Sequence, residues 1–339
     1  MEYARNIEIT DCGWGASVTL RDPWDTLKVR QRYFLVNRGA EIPRNLPEGV
    51  VIRVPVKNAV VYTSVHASMI EELGCLDLIS AVCEPQYMIS PEVIRRVADG
   101  TIADAGMSTS PNVEMIVDLN ADVIIASPFE NCGFGAAEKI GVPIVQAADY
   151  MENHPLGRTE WVKFYGLLFG KRELADSLYR ATVSRYNALK ETVSAVSSRP
   201  AVLLETKYGS SWAVPSGKSY IGVLHADAGA DYLFADDNSA SARELSFEAV
   251  FDRASEADFW LFKGYYTDMD SRDDLRDQYP PYANFKAFKE GRIYYCNTMV
   301  SNYYDDVTLH PDRVLADLAA IYHPELFPGY ALRYYSLLK

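Results

Sequence analysis

The chain lacks any unbroken apolar run of the ~18 residues that a membrane-spanning helix requires, so no such helix is expected. Basic residues are scarce. Lys and Arg total 33 against 46 Asp and Glu, a net charge of −13. A phosphate backbone or an anionic lipid surface calls for the opposite sign, which argues against both as partners. Cysteine is sparse too. Cys12, Cys75, Cys83, Cys132 and Cys296 form no CxxC pair and no zinc-ligand spacing, and their odd number leaves at least one unpaired. Cys75 and Cys83 could pair if the loop between them folds back; buried free thiols are the preferred expectation. The five histidines share no metal-ligand spacing, and GxSxG, HExxH and kinase signatures are missing. No catalytic residue and no metal ligand is therefore assigned. Met1-Glu-Tyr-Ala-Arg does not open like a secretion signal.

What is present is a repeated helix-then-strand pattern. In DAGMSTSPNVEMIVDLNADVIIASP (Asp104–Pro128), Ser110 is the expected N-cap and Pro111 the first helical residue. Met115, Ile116 and Leu119 follow at helical spacing. Val123–Ala126 is then a short unbroken apolar run, the mark of a strand covered on both faces. An echo follows downstream: Ser246 opens a helix and Phe259–Phe262 is its strand.

These elements divide the chain. Residues 1–57 read as a β-rich extension packed on the first lobe, with strands at Ser17–Leu20, Arg32–Val36 and Val50–Val54. Residues 58–155 form an α/β lobe. Residues 156–199 are a helical connector whose main helix, Arg172–Val196, would run roughly 36 Å at 1.5 Å per residue. Leu174, Leu178, Ala181, Leu189, Val193 and Val196 are its expected apolar stripe. Residues 200–339 form a second α/β lobe ending in a helix near Pro328–Leu338. The fold class is α/β: two Rossmann-like lobes with mostly parallel sheets, joined by one long helix.

Candidate chemistry is thin. Val214-Pro-Ser-Gly-Lys-Ser219 looks like the end of a phosphate loop, but Trp212 stands where that motif needs glycine, which favours a plain turn and helix start. His66 falls where a strand meets a helix, at the sheet edge where open α/β sheets bind ligands. Tyr87, Trp212, Tyr220, Tyr265 and Tyr303 fall in expected loops after strands and offer stiff aromatic contact surface.

The order of elements resembles the substrate-binding proteins of ABC importers for iron–siderophore complexes, haem and vitamin B12, over roughly Asn58 to the C-terminus. The most specific match is SPNVEMIVDLNADVIIA with the preceding Gly106; Asn120-Ala121 replaces the family's usual Lys-Pro. Ser216-Gly-Lys-Ser219, Ser246-Phe-Glu-Ala-Val and the Pro311–Asp317 helix support it. The resemblance implies a monomer working outside the cytoplasmic membrane, in the periplasm or its equivalent, as a lipoprotein anchored through a cysteine outside this chain. It implies no enzymatic activity and no intrinsic cofactor. Cargo would be held between the lobes by His66, Tyr87, Trp212, Tyr220, Tyr265 and Tyr303, and passed to a dimeric ABC permease. In the vitamin B12 member a surface glutamate on each lobe pairs with permease arginines; Glu130 and Glu248 match these by position. Scarce arginines in the expected ligand loops favour haem or a corrinoid over an anionic siderophore. Two alternatives stay open: a two-domain enzyme of nitrogenase-like fold, and a zinc- or manganese-importer type holding a bare ion.

Overall fold

The computed structural model describes residues 1–239 and 242–339. They form two units, one of Met1–Glu152 with Leu156–Ala181, the other of Asn153–Pro155 with Thr182–Lys339. Each is built on a mostly parallel sheet flanked by helices.

In unit one, β1 (Ile7–Cys12), β2 (Gly15–Arg21), β3 (Val29–Asn37) and β4 (Val50–Val54) make a four-stranded sheet in that order. β1, β2 and β3 pair antiparallel, and β3 pairs β4 in parallel. Two buried carboxylates fasten the residues before β1. Glu160 accepts the amides of Glu2, Tyr3 and Ala4 at 2.8–2.9 Å, and Glu152 accepts those of Arg5 and Asn6 at 2.8 and 2.9 Å. Burial alone would raise the Glu160 pKa. The amides and Lys163 outweigh that, so its carboxyl sits below the usual range.

The main sheet of unit one uses β5 (Ala59–Val61), β6 (Ile79–Val82), β7 (Ala103–Asp104), β10 (Val123–Ala126) and β11 (Ile144–Gln146), in the order β11-β10-β5-β6-β7, all parallel. Between these lie α1 (Ser64–Glu72), α2 (Pro91–Ala98), the small hairpin β8 (Gly106–Met107) and β9 (Ser110–Pro111), and α3 (Val113–Asp118). Every residue of β10 is buried, as its apolar run predicts. The N-cap of α3 is Asn112, not Ser110. Its side chain accepts the Met115 amide at 3.1 Å, because Ser110-Pro111 is engaged in pairing with Gly106-Met107. Gly135–Lys139, between β10 and β11, is a 3₁₀ turn. Tyr33 ties the two sheets of this unit: its hydroxyl donates to the Ile144 carbonyl and accepts the Gln146 amide, both at 2.9 Å.

Next come α4 (Pro155–Glu160), α5 (Val162–Leu168) and α6 (Arg172–Ser194). The 23 residues of α6 contribute to both units. Its buried stripe is Ala175, Tyr179, Thr182, Tyr186 and Val193. Val193 is buried as expected, but in the first half of the helix the buried positions fall one residue after the expected Leu174, Leu178 and Ala181, and Leu174 is 41% exposed. The buried tyrosines are affordable because each hydroxyl has an acceptor: Glu2 for Tyr179 at 3.2 Å, Asp227 for Tyr186 at 2.8 Å.

Unit two continues with β12 (Ala201–Leu204), β13 (Lys207–Tyr208), β14 (Ser211–Val214), α7 (Tyr220–Asp227), β15 (Asp231–Tyr232), β16 (Arg243–Leu245), α8 (Phe247–Ala254) and β17 (Phe259–Gly264). It ends with α9 (Arg272–Gln278), α10 (Lys286–Lys289), β18 (Ile293–Asn297), α11 (Tyr303–Leu309), α12 (Pro311–Tyr322) and β19 (Ser336–Leu337). The sheet order is β15-β12-β17-β18-β19, with only β19 antiparallel. The helix expected at Pro328–Leu338 does not form. Gly329 adopts φ +79°, and buried Asp317 accepts the amides of Arg333, Tyr334 and Tyr335, which a helix would need for its own carbonyls. All five cysteines are free. Among the described residues no helix is long and apolar enough to cross a membrane.

Candidate functional site

An open parallel sheet binds ligands outside the carboxyl ends of its strands, at the point where the strand order reverses. In unit one that point lies between β5 and β10. Tyr62 and Thr63 follow β5, Cys83 and Glu84 follow β6, and Ser127 and Pro128 follow β10. Two rings at this edge face solvent. Tyr87 is 64% exposed on the short turn after Glu84, and Phe129 is 61% exposed beside Tyr150, with ring centroids 6.3 Å apart.

Behind them sits a buried polar group. His66, in the first turn of α1, is 1% exposed. Its Nδ1 is 2.8 Å from the Tyr165 hydroxyl, its Nε2 is 3.0 Å from Ser127 Oγ, and Asp149 Oδ1 stands 4.0 Å from Nδ1. Burial pushes the imidazole pKa down to about 4 and the Asp149 carboxyl up to about 7. His66 is therefore neutral, and it belongs to the interior rather than to a ligand surface.

In unit two the reversal flanks β12, which runs between β15 and β17. A cavity of about 590 Å³ opens there, lined by Glu205, Lys207, Tyr208, Lys263, Tyr265 and Tyr266 among others. Lys263 forms an ion pair with Glu205 at the ends of β17 and β12. Burial would lower the Lys263 pKa. The Glu205 carboxylate outweighs it, with the Tyr220 and Tyr304 phenols adding to the effect, so the ammonium stays charged. Glu205 itself takes a left-handed backbone, φ +62°, and its carbonyl accepts the Trp260 indole N–H at 2.8 Å. Tyr208 and Tyr265 are 92% and 65% exposed.

The remaining expected contacts divide. Tyr220 opens α7, partly exposed, and Tyr265 lines the cavity. Trp212 does not reach a ligand surface. It is fully buried on β14, with Trp260, Tyr282 and Phe285 rings 5.8–6.0 Å away. Tyr303 is likewise interior, 2% exposed and packed on Tyr334 and Tyr335. Neither lies in the loop expected for it: Trp212 is on β14 and Tyr303 opens α11, and both rings turn inward. The stretch before α7 is a turn and helix start. Ser219 caps α7 by accepting the Gly222 amide at 3.1 Å, and a side chain at Gly217 would collide with the Ala235 backbone, so close chain approach accounts for that glycine. Glu130 is exposed on the tight Phe129–Cys132 turn, and Glu248 is exposed in the first turn of α8. Residues that the sequence reading missed are Ser127, Phe129, Glu205 and Lys263. All four lie within a few residues after, or at the end of, a buried apolar run, and that position was their one available signal. Among the described residues, no three His, Cys, Asp or Glu side chains converge to hold a metal ion.

The family model described as periplasmic binding protein matches residues 78–299, about two thirds of the chain. The chain belongs to the periplasmic binding protein family. Members of this family are substrate-binding components of ABC transport systems. An uncharacterized lipoprotein of Methanocaldococcus jannaschii is 27% identical over 315 residues, covering 88% of this chain and 74% of its own. Among solved structures, a possible iron-binding periplasmic solute-binding protein of Staphylococcus epidermidis aligns with a TM-score of 0.63 at 15% identity, over 79% of this chain and 98% of that one. A periplasmic heme binding protein of Pseudomonas aeruginosa aligns at 0.61 and 18%, over 79% of this chain and 93% of that one. At such identities the structural likenesses establish the fold, and the edges described above must speak for the cargo.

Proposed function

We propose that this periplasmic binding protein captures an iron complex, haem or a corrinoid and delivers it to an ABC permease dimer, acting as a monomer outside the cytoplasmic membrane. The observation that carries the cargo class is the aromatic lining of the carboxyl edges: Tyr87 and Phe129 in unit one, Tyr208 and Tyr265 in unit two, all more than half exposed. Large exposed rings cost solvation unless a partner covers them, and flat conjugated or macrocyclic cargo is matched to such surfaces. Of the two lysines lining the unit-two cavity, Lys263 is already neutralised by Glu205, which leaves Lys207 as the cation there for an anionic group on the cargo. The name of the archaeal relative supports a lipid-anchored, extracytoplasmic location. Exposed Glu130 and Glu248 are read as the carboxylates offered to permease arginines.

The test is direct titration by absorbance with haemin, cyanocobalamin and ferric desferrioxamine, with mass spectrometry of whatever co-purifies. Micromolar or tighter binding of at least one is expected, weakened about tenfold by Tyr208→Ala with Tyr265→Ala. Binding of none of them, or a bare metal ion as the sole co-purifying species, would overturn the reading.

A further inference from the structure

Ser127, His66 and Tyr165 have the members of a nucleophilic site but the wrong polarity for one. Tyr165 is fully buried, and among the described residues its hydroxyl has a single hydrogen-bond partner, Nδ1 of His66 at 2.8 Å. A buried hydroxyl gives its proton to an available acceptor, so Nδ1 accepts. Asp149 Oδ1, at 4.0 Å, is beyond hydrogen-bond reach of that nitrogen. A neutral imidazole that accepts at Nδ1 carries its hydrogen on Nε2. That N–H points to Ser127 Oγ, 3.0 Å away, and donates to it. One Ser127 lone pair is thereby used, and its own O–H, which does not go to His66, is left for an acceptor outside the chain. In a nucleophilic serine the imidazole takes the hydroxyl proton; here it supplies one. Burial keeps His66 neutral, so the direction holds through neutral pH.

The location fits an external acceptor. Ser127 is part-exposed and follows β10 at the strand-order reversal of unit one. We infer that Ser127 is a cargo-binding residue of unit one, donating its hydroxyl to an oxygen acceptor on the cargo, with His66 and Tyr165 as positioning residues that fix the direction of that donation. The acceptor class is a carboxylate, hydroxamate or amide oxygen. The inference rests on the importer reading for its cargo and on the Tyr165–His66–Ser127 chain for its chemistry.

The two foundations are tested separately. Nitrogen-15 NMR of the histidine side chains in the cargo-free protein, with His66 assigned through His66→Gln, reads the tautomer. Nε2–H is expected, and Tyr165→Phe should abolish the single-tautomer signal; Nδ1–H would overturn the inference whatever the protein carries. Titration with haemin, cyanocobalamin and ferric desferrioxamine then reads the contact. Ser127→Ala is expected to weaken binding about tenfold, the loss of one hydrogen bond to a polar or charged acceptor, without lowering the melting temperature, while Ser127→Thr keeps most of the affinity. Equal affinity of Ser127→Ala and the wild type for a probe that binds would overturn the donor role. If the wild type binds none of the three, the cargo reading fails on its own account; the tautomer measurement still upholds or overturns the wiring.

Discussion

Trp212 donates its indole N–H to the carbonyl oxygen of Leu204 at 3.0 Å, inside a cage of Trp260, Tyr282 and Phe285. The hydrogen bond lets a large polar-edged ring sit with no solvent contact, at the junction of β12 and β14. Trp212→Ala removes the ring and strands the Leu204 carbonyl. It is expected to cost about 3–5 kcal/mol of stability, read as a lowered urea midpoint at unchanged m-value. Trp212→Phe keeps most of the packing and should lose markedly less. An unchanged midpoint for the alanine variant would show that unit two does not depend on this cage.

The Lys263–Glu205 pair is a second interior commitment. Its side chains are only 10% and 22% exposed. Removing one member leaves the other charge poorly solvated, which for buried pairs costs about 3–5 kcal/mol, whereas neutralising both together is far milder. Lys263→Met is therefore expected to destabilise strongly, and Lys263→Met with Glu205→Gln to recover most of the loss. A double-mutant cycle by chemical denaturation measures the coupling. Additive losses would mean that solvent reaches the pair freely.

Glu130 and Glu248 make little difference to the isolated chain, because each is solvent-exposed. Exposed carboxylates gain value only when an arginine meets them at a closed interface. Glu130→Arg combined with Glu248→Arg should leave folding and haemin or cyanocobalamin affinity unchanged and abolish uptake in cells expressing the cognate permease. Full uptake by the double variant would place docking elsewhere.

The sheets were legible and much of the site was not, for a physical reason. Val123–Ala126 and Ala201–Leu204 announce themselves because a parallel strand is covered on both faces and tolerates no polar residue. Ser246 and Ser219 announce helix starts because a hydroxyl can satisfy an orphan amide. Ring exposure has no such local mark. Trp212 and Tyr208 lie a few residues apart in paired strands, yet one is buried and the other is 92% exposed, because strand alternation and the neighbouring element decide it. In the first half of α6 the leucine spacing points one residue away from the buried face, because Glu2 and Asp227, distant in sequence, make the tyrosines fit to be buried. Pro328–Leu338 was misjudged because Asp317, on α12, captures its amides. Ser127 was invisible for the same reason: its partner His66 lies on a different element, and only the fold brings them together.

Buried histidines give the protein an acid limit. His225, in α7, is 4% exposed, and its Nδ1 is 2.6 Å from the Tyr322 hydroxyl. Burial, with a smaller contribution from the Lys263 charge, lowers its pKa to about 3 from an ordinary 6.5. A histidine whose folded pKa is depressed contributes stability that is fully present above the unfolded value and is lost as pH falls toward the folded one. For His225 the window is pH 6.5 down to about 3. His66 acts with the same sign down to about pH 4. Asp149 acts with the opposite sign: its carboxyl, raised to about 7, contributes stability at acid pH that is lost as pH rises through that value. Within unit one these two act with opposite sign over the same pH range, so His225 is the histidine whose own acid loss is most cleanly read. Between pH 6 and 4 the wild type should lose stability more steeply than His225→Gln, the difference approaching 1.4 kcal/mol per pH unit for one proton. Urea titrations at half-unit steps measure it. Parallel pH profiles for the two proteins would show that His225 gains its proton without unfolding the helix that buries it.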